Sequence, residues 1–380
     1  MKSGPRIAII GVGMGGATAA IALQQLGHDV AVYEQAERLE RIGLGIGLTS
    51  NSTHICAKLG LLHRMEAAGH LPRERHSRDG VSGELTLDIP VAGFKAKYGG
   101  PHIVMRRGDL HDIFVGGMKP DCLHLGKQLV DIRDDVSVVH LSFADGSVAT
   151  ADIVIGADGI HSRVRARAVD DVRSFYGGEV AHRSIFPRER VGDMAVADMT
   201  KWFSGTDRYV MVFFLTPGKE DIYYVTGYPQ AEWTTGLGPL DTDPQAVVKA
   251  FADYCPDVQR ILGAATEATT WPIFERDPVR GWSRGNVVLL GDAVHGMRPH
   301  MGQGAGMAIE DAVVLARCID HFGGDAQSAF TTYERLRYDR TTSVLLGSRH
   351  NTWMRGDMNV DELYGYDPFT LPLTESMVPS

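Results

Sequence analysis

RIAIIGVGMGGATAAIALQQLGHDVAVYE, residues 6–34, reads as one strand–turn–helix–strand unit. Arg6 to Ile10 is a β-rich run that opens directly into Gly11-Val12-Gly13-Met14-Gly15-Gly16. That is G-x-G-x-x-G at Gly11, Gly13 and Gly16. Residues 17–26 are mostly small or straight-chain and favour helix, and Asp29 to Tyr33 is a second strand ending in Glu34. The first glycine permits a tight turn, the second lets a pyrophosphate approach, and the third lets helix and strand pack closely. Glu34 stands where a carboxylate can accept from ribose hydroxyls. It disfavours a 2′-phosphate there, so the unit predicts FAD or NAD as the bound dinucleotide rather than NADP.

A second stretch, VVLLGDAVHGMRPHMGQGAGMAIED at 287–311, has the same logic. A short apolar strand ends at Gly291-Asp292, and ligands of open α/β sheets bind at that end of the strands. Pro299 then precedes Gly302, Gly304 and Gly306, and an apolar helical pattern resumes at Met307. A glycine turn feeding a helix amino end offers bare N–H groups to an anion or an electron-rich ring. A third stretch, ADIVIGADGIHSRVR at 151–165, places Asp158 and Gly159 just after another buried strand.

The remainder fills in around these. RIGLGIGL at 41–48 alternates glycines, which implies a backbone that something approaches closely. Arg41 there reads equally as a phosphate partner and as a solvated surface arginine. Residues 73–80 read as polar and turn-like, Glu84 to Ile89 as a strand, and Asp145-Gly146 as a hairpin turn. From Asp171 the texture changes. Segments 180–186, 209–215 and 222–228 are rich in Val, Phe and Tyr and read as an antiparallel sheet, and residues 243–263 read as helical. The expected architecture is α/β: a Rossmann-like FAD-binding domain (1–75, 101–170 and 275–380) with an inserted antiparallel-sheet substrate domain (76–100 and 171–274).

Bulk properties narrow the function. The chain has 380 residues and a net charge of −9 from 38 basic and 47 acidic side chains, with no basic block. Nucleic acid is an unfavoured partner. The four cysteines are scattered without disulfide or metal-site spacing, so no metal is expected. No apolar run approaches membrane-spanning length and no signal-peptide layout is present, so the expectation is a cytoplasmic protein, monomeric or homodimeric.

Together the three glycine motifs, in this order and covering nearly the whole chain, resemble the class A flavoprotein monooxygenases, the p-hydroxybenzoate hydroxylase-like family. The resemblance implies bound FAD, with NADH or NADPH as a transient co-substrate and no fold of its own for it. It implies that Gly11, Gly13, Gly16 and Glu34 bind the ADP part of FAD. Arg41, Arg107, Asp158, Gly159 and Asp292 are implied FAD contacts. Pro299, Gly302, Gly304 and Gly306 are implied neighbours of the isoalloxazine ring. Stretches such as SRDG, RGDLH, WSRG and RPHMGQGAGMAIEDA are most similar to members acting on hydroxypyridine carboxylates such as 6-hydroxynicotinate. The implied reaction is hydroxylation of a hydroxylated aromatic acid by O2 through a flavin C4a-hydroperoxide, with loss of CO2 where the attacked carbon carries a carboxylate.

Against those members Gly47 and Tyr209 stand where histidines are expected and Phe213 where a tyrosine is expected, while His300 is retained. His300 and Tyr209 are therefore the catalytic candidates. Gly47, Tyr209, Met211, Phe213 and His300 are the substrate-binding ones, with Tyr209, Met211 and Phe213 sharing a face by the two-residue period. His300 reads equally as a histidine bonded to a backbone carbonyl, and Tyr209 as a core tyrosine. Two other readings remain: a flavin oxidase or reductase that inserts no oxygen, and a non-catalytic dinucleotide-binding protein.

Overall fold

A computed structural model describes residues 4–39, 44–135, 138–205, 208–350 and 359–374. Arg41 lies outside the described residues. The expected βαβ unit is present as the strand Arg6–Ile10, the helix Met14–Gln25 and the strand Asp29–Tyr33. Arg6–Ile10 lies inside a six-stranded sheet between Asp29–Tyr33 and Ile153–Gly156, all parallel. Val287–Leu289 continues that sheet in parallel beyond Ile153–Gly156. All three glycine motifs therefore leave neighbouring strands at the same edge of one sheet, which brings stretches distant in sequence to one place. The helix Met14–Gln25 packs on the helix Gly304–His321. Gly15 permits this, because a Cβ there would lie 2.6 Å from Leu290 Cδ1 and 3.1 Å from Ala308 Cβ.

The second large sheet has eight strands. Its centre is Phe175–Pro187, Asp221–Pro229, Arg208–Phe214 and Met199–Ser204, all antiparallel. Glu74–Asp79 then pairs in parallel with Met199–Ser204. The Glu74–Asp79 segment was expected as a turn. Its sequence, ERHSRD, has no β-branched or aromatic residue, and it is a strand because partners on both sides supply its ladder. The single helical stretch expected at 243–263 is two helices, Pro244–Ala250 and Pro256–Gly263. Pro256 starts the second helix, where its missing N–H costs nothing.

Register divides this sheet by parity. Val210, Val212, Phe214, Tyr224 and Trp202 lie in a core under the two helices. The odd-numbered residues face the nucleotide-binding half. Arg183 is opposite Val225, which is opposite Met211, which is opposite Lys201. One row along, Ile185, Tyr223, Phe213 and Met199 are opposite one another in turn. The described residues contain no helix long and apolar enough to cross a membrane.

Candidate active site

The glycine turn at 11–16 is shaped as its spacing requires. Gly11 has φ +98°, and a Cβ on Gly16 would sit 2.0 Å from the Gly11 carbonyl oxygen. Both are therefore turn and packing positions. Gly13 has nothing within 4 Å of its missing Cβ and caps the amino end of the helix Met14–Gln25. Glu34 accepts from the Val12 amide at 3.1 Å and the Ala36 amide at 3.0 Å. With Val12, Gly13, Arg107 and His111 it lines one cavity. A second cavity, about 410 Å³, is lined by Gly13, Arg107, Gly159, Asp292, Pro299, Gly302 and Gly304 on one side. Gly13 and Arg107 belong to both, so the two form one continuous trough of the kind an extended dinucleotide needs.

Asp292 follows Gly291, whose φ of +62° turns the chain out of the Val287–Leu289 strand. Asp292 is exposed within the larger cavity, which it lines among buried neighbours. Burial raises its pKa, against the pull of His295, Arg107 and Arg276. Behind it the turn is braced. Asp311 accepts from the Gly291 amide at 3.1 Å, from His295 Nε2 at 2.5 Å and from Arg337 Nε at 2.7 Å. Glu310 accepts from Arg337, Arg340 and Asn51. Arg337, Glu310 and Asp311 are fully buried. Burial pushes Asp311 up, but His295 and Arg337 outweigh it and hold the carboxyl at about 2.

Asp158 does not line either cavity. Its carboxylate accepts from the Ser162 hydroxyl and from the amides of Arg163 and Val164, so it caps the turn that presents Gly159. Gly306 is likewise a packing position. A Cβ there would meet Gln303 Oε1 at 3.3 Å and Asn51 Nδ2 at 3.4 Å.

The opposite wall of the larger cavity is the odd-numbered face of the eight-stranded sheet. Met199, Met211, Phe213 and Val225 make it apolar, with Val104 and Gly47 closing one side. Met211, Phe213, Gly47 and His300 are thus all at the cavity. Tyr209 is not among its lining residues. Tyr209 is 2% exposed and stacks edge-on behind His300, with ring centroids 5.3 Å apart. It shares the face of Met211 and Phe213 but lies past the end of the cavity.

Several lining residues were not anticipated. Tyr223 is pinned between rings and backbone. Its ring centroid is 4.9 Å from that of Phe213, and a Cβ on Gly45 would sit 2.6 Å from Tyr223 Cδ1. Its hydroxyl forms no hydrogen bond with a described residue. Arg183 stands over the Trp271 ring at 5.0 Å, and its buried Nε has no hydrogen-bond partner among the described residues. Arg75 and His102 complete the lining. Burial, and then Arg75, push His102 down to about 3, so it is a neutral ring. A cation at 183 in the middle of a Val/Ala/Ile/Phe strand was the sequence signal for this wall. A period-two reading extended to that strand would have found it.

The trough fits FAD: a helix amino end and an open glycine at Gly13, a carboxylate at Glu34, a cation at Arg107 and a bare turn at Gly302. Known proteins agree. Residues 126–347 match the model of an FAD binding domain, and residues 9–40 match an NAD(P)-binding Rossmann-like domain. The chain is 41% identical to 6-hydroxynicotinate 3-monooxygenase of Bordetella bronchiseptica, over 99% of this chain and 98% of that protein.

The chain belongs to the class A FAD-dependent aromatic monooxygenases.

The monooxygenase is also 39% identical to a 6-hydroxynicotinate 3-monooxygenase of Pseudomonas fluorescens, over 100% of this chain and 99% of that one. It superposes on Klebsiella pneumoniae HpxO, solved with FAD and uric acid, with a TM-score of 0.79 at 28% identity, covering 92% of this chain and 90% of that one. A salicylate hydroxylase substrate complex shares the fold with a TM-score of 0.83 at 23% identity, covering 97% of each chain. The expected fold class is therefore the observed one. As a member of this family the monooxygenase takes FAD as its cofactor and a nicotinamide dinucleotide as its reductant.

Proposed function

We propose that this monooxygenase hydroxylates a single-ring hydroxylated aromatic acid, with a hydroxypyridine carboxylate such as 6-hydroxynicotinate as the first candidate. The observation that carries the reading is that Arg183 and the Tyr223 hydroxyl both line the cavity beside an apolar surface of Met199, Met211, Phe213 and Val225. A ring hydroxyl and a carboxylate are the two groups that such a wall satisfies. The two relatives of about 40% identity act, by their names, on a molecule bearing both.

When bound, FAD reduced by the nicotinamide would react with O2 and supply one of its two atoms as an electrophile, the other leaving as water. The protein does the rest. Arg183 holds the carboxylate, and the Tyr223 hydroxyl bonds the ring oxygen whose electrons make the neighbouring or opposite ring carbon nucleophilic. Met199, Met211, Phe213, Val225 and Val104 exclude water from the reacting face. Pro299, Gly302 and Gly304 bring bare backbone to the flavin edge, and Asp292, Arg107 and Glu34 hold the rest of the cofactor. Where the attacked carbon carries the carboxylate, the new C–O bond replaces a C–C bond and CO2 leaves. In this reading residues 1–75, 101–170 and 275–380 hold FAD, 76–100 and 171–274 build the substrate wall, and the protein works in the cytoplasm as a monomer or homodimer.

The test is NADH and NADPH oxidation by the FAD-loaded protein across hydroxylated pyridine and benzene carboxylates, with products identified by mass. The expected result is substrate-stimulated oxidation and a product that has gained one oxygen. Hydrogen peroxide equal to the nicotinamide consumed, with no oxygenated product from any acid, would sink the reading in favour of an oxidase.

A further inference from the structure

His300 lines the cavity, yet neither of its ring nitrogens is available to a substrate. Nδ1 lies 2.9 Å from the Ser348 carbonyl oxygen. Nε2 lies 2.8 Å from each oxygen of Glu179. A carbonyl can only accept, and an ionised carboxylate can only accept. Arg298 Nη1 stands 3.4 Å from Glu179 Oε2. Both ring nitrogens thus face oxygen atoms at hydrogen-bond distance.

The pair is built into the sheet and closed to solvent. The side chains of His300 and Glu179 are 3% and 5% exposed. Glu179 reaches the histidine across a gap in the neighbouring strand at Gly227. A Cβ at Gly227 would lie 2.6 Å from Glu179 Oε1 and 2.2 Å from Tyr209 Cε1. Every element packed on the histidine contributes to its surroundings. Phe175–Pro187 brings Glu179, and Arg208–Phe214 brings the Tyr209 ring. Met199–Ser204 brings Lys201, whose amine donates to the His300 carbonyl at 3.1 Å. The helix Ala326–His350 brings the Ser348 carbonyl. The loop itself brings Arg298, which also bonds Glu275 at 2.8 Å. Of these groups only Glu179 places a negative charge on the ring.

We propose that Glu179 is a positioning residue that fixes His300 as a permanent imidazolium on the cavity wall. In that state His300 offers charge to a ring oxyanion and does not take the substrate's proton. This rests on the reading of the cavity as a site for an anionic aromatic, but its first test needs no substrate.

The experiment uses FAD-loaded protein labelled with 15N at histidine, with His300 assigned by comparison with His300→Asn. Long-range 1H–15N correlation from pH 6 to 9 reads the state of each ring nitrogen. The expected result is two protonated nitrogens throughout. A neutral ring with one bare nitrogen in that range overturns the proposal, whatever the variants do. In Glu179→Gln the second proton should be lost within the range while the flavin absorbance is retained. Affinity for the anionic aromatic should fall roughly tenfold, as for loss of one charge-assisted interaction, and Glu179→Asp should recover part of it. An unchanged His300 signature and pH–rate profile in Glu179→Gln would also overturn the proposal. A doubly protonated ring in a protein that hydroxylates no aromatic acid would instead count against the function, not against this pair.

Discussion

The two walls of the cavity treat charge in opposite ways. On the wall formed by Gly291-Asp292 and the helix Gly304–His321, every buried charge behind the turn has a partner: Asp311 with His295 and Arg337, Glu310 with Arg337 and Arg340. On the sheet wall, Arg183 faces the cavity with a buried donor that no described residue satisfies. A buried donor left without a partner costs about 1–3 kcal/mol. On the proposed reading that open donor is left for the carboxylate of a ligand. The first wall holds a cofactor of fixed structure. On the same reading the second discriminates among small acids.

Four measurements would break or sharpen that contrast. The largest effect is expected on the paired wall. Arg337→Ala removes the cation shared by two buried carboxylates, leaving Asp311 with His295 and Glu310 with Arg340, and should destabilise the FAD-loaded protein by about 3–5 kcal/mol, read by denaturant unfolding. A loss below about 1 kcal/mol would mean that the network adds little.

On the open wall, Arg183→Gln should leave unfolding and flavin absorbance unchanged. It should weaken the aromatic acid roughly tenfold to a hundredfold, the about 1.5–3 kcal/mol of a hydrogen bond to a charged group. Equal affinity in the two proteins would remove the contrast.

The third is a pH experiment. The Asp311 carboxyl is held down at about 2, below its ordinary value of 3.8. A depressed carboxyl contributes stability that is present above the ordinary value and lost as pH falls through the folded one. The stability gap between the protein and Asp311→Asn, on the order of 2 kcal/mol from this group, should therefore be full at pH 5 and shrink toward pH 2. A gap that is flat with pH would show that the charge is not what braces the turn.

The smallest effect is Tyr209→Phe. The ring lies behind His300 and its hydroxyl is away from the cavity lining, so substrate affinity should change by less than about threefold, within the range of substitutions that touch no ligand. A larger loss would return Tyr209 to the substrate wall.

The contrast also explains what was legible in the sequence. The cofactor side is written locally. Gly11, Gly13 and Gly16 fall within six residues, and Asp292 to Gly304 within thirteen, so spacing alone carries the geometry. Their parallel strands then bring the motifs together. The substrate side is written across strands. Arg183, Val225, Met211 and Lys201 form one row only because four strands pair in one register. Arg75 joins through a strand, Glu74–Asp79, that has no strand-like composition of its own. Period two correctly placed Met211 and Phe213 together, but it gives a face and no position along it. Tyr209 shares that face but lies outside the cavity lining. Glu179 was missed for a related reason, since its role depends on a side chain that Gly227 lacks.

Gly45 and Gly47 lie two residues apart on the same strand, Gly45–Leu48, and both line the cavity. Their tolerances are opposite. A Cβ at Gly45 would strike the Tyr223 ring at 2.6 Å, whereas one at Gly47 would meet the tip of the Val104 side chain at 3.3 Å and the Ile103 carbonyl oxygen at an ordinary 3.9 Å. For directed evolution of the substrate range, position 47 is thus a blank socket: a side chain introduced there enters the pocket at the cost of a small shift in one methyl group. A library that varied position 45 instead would mostly sample broken pockets.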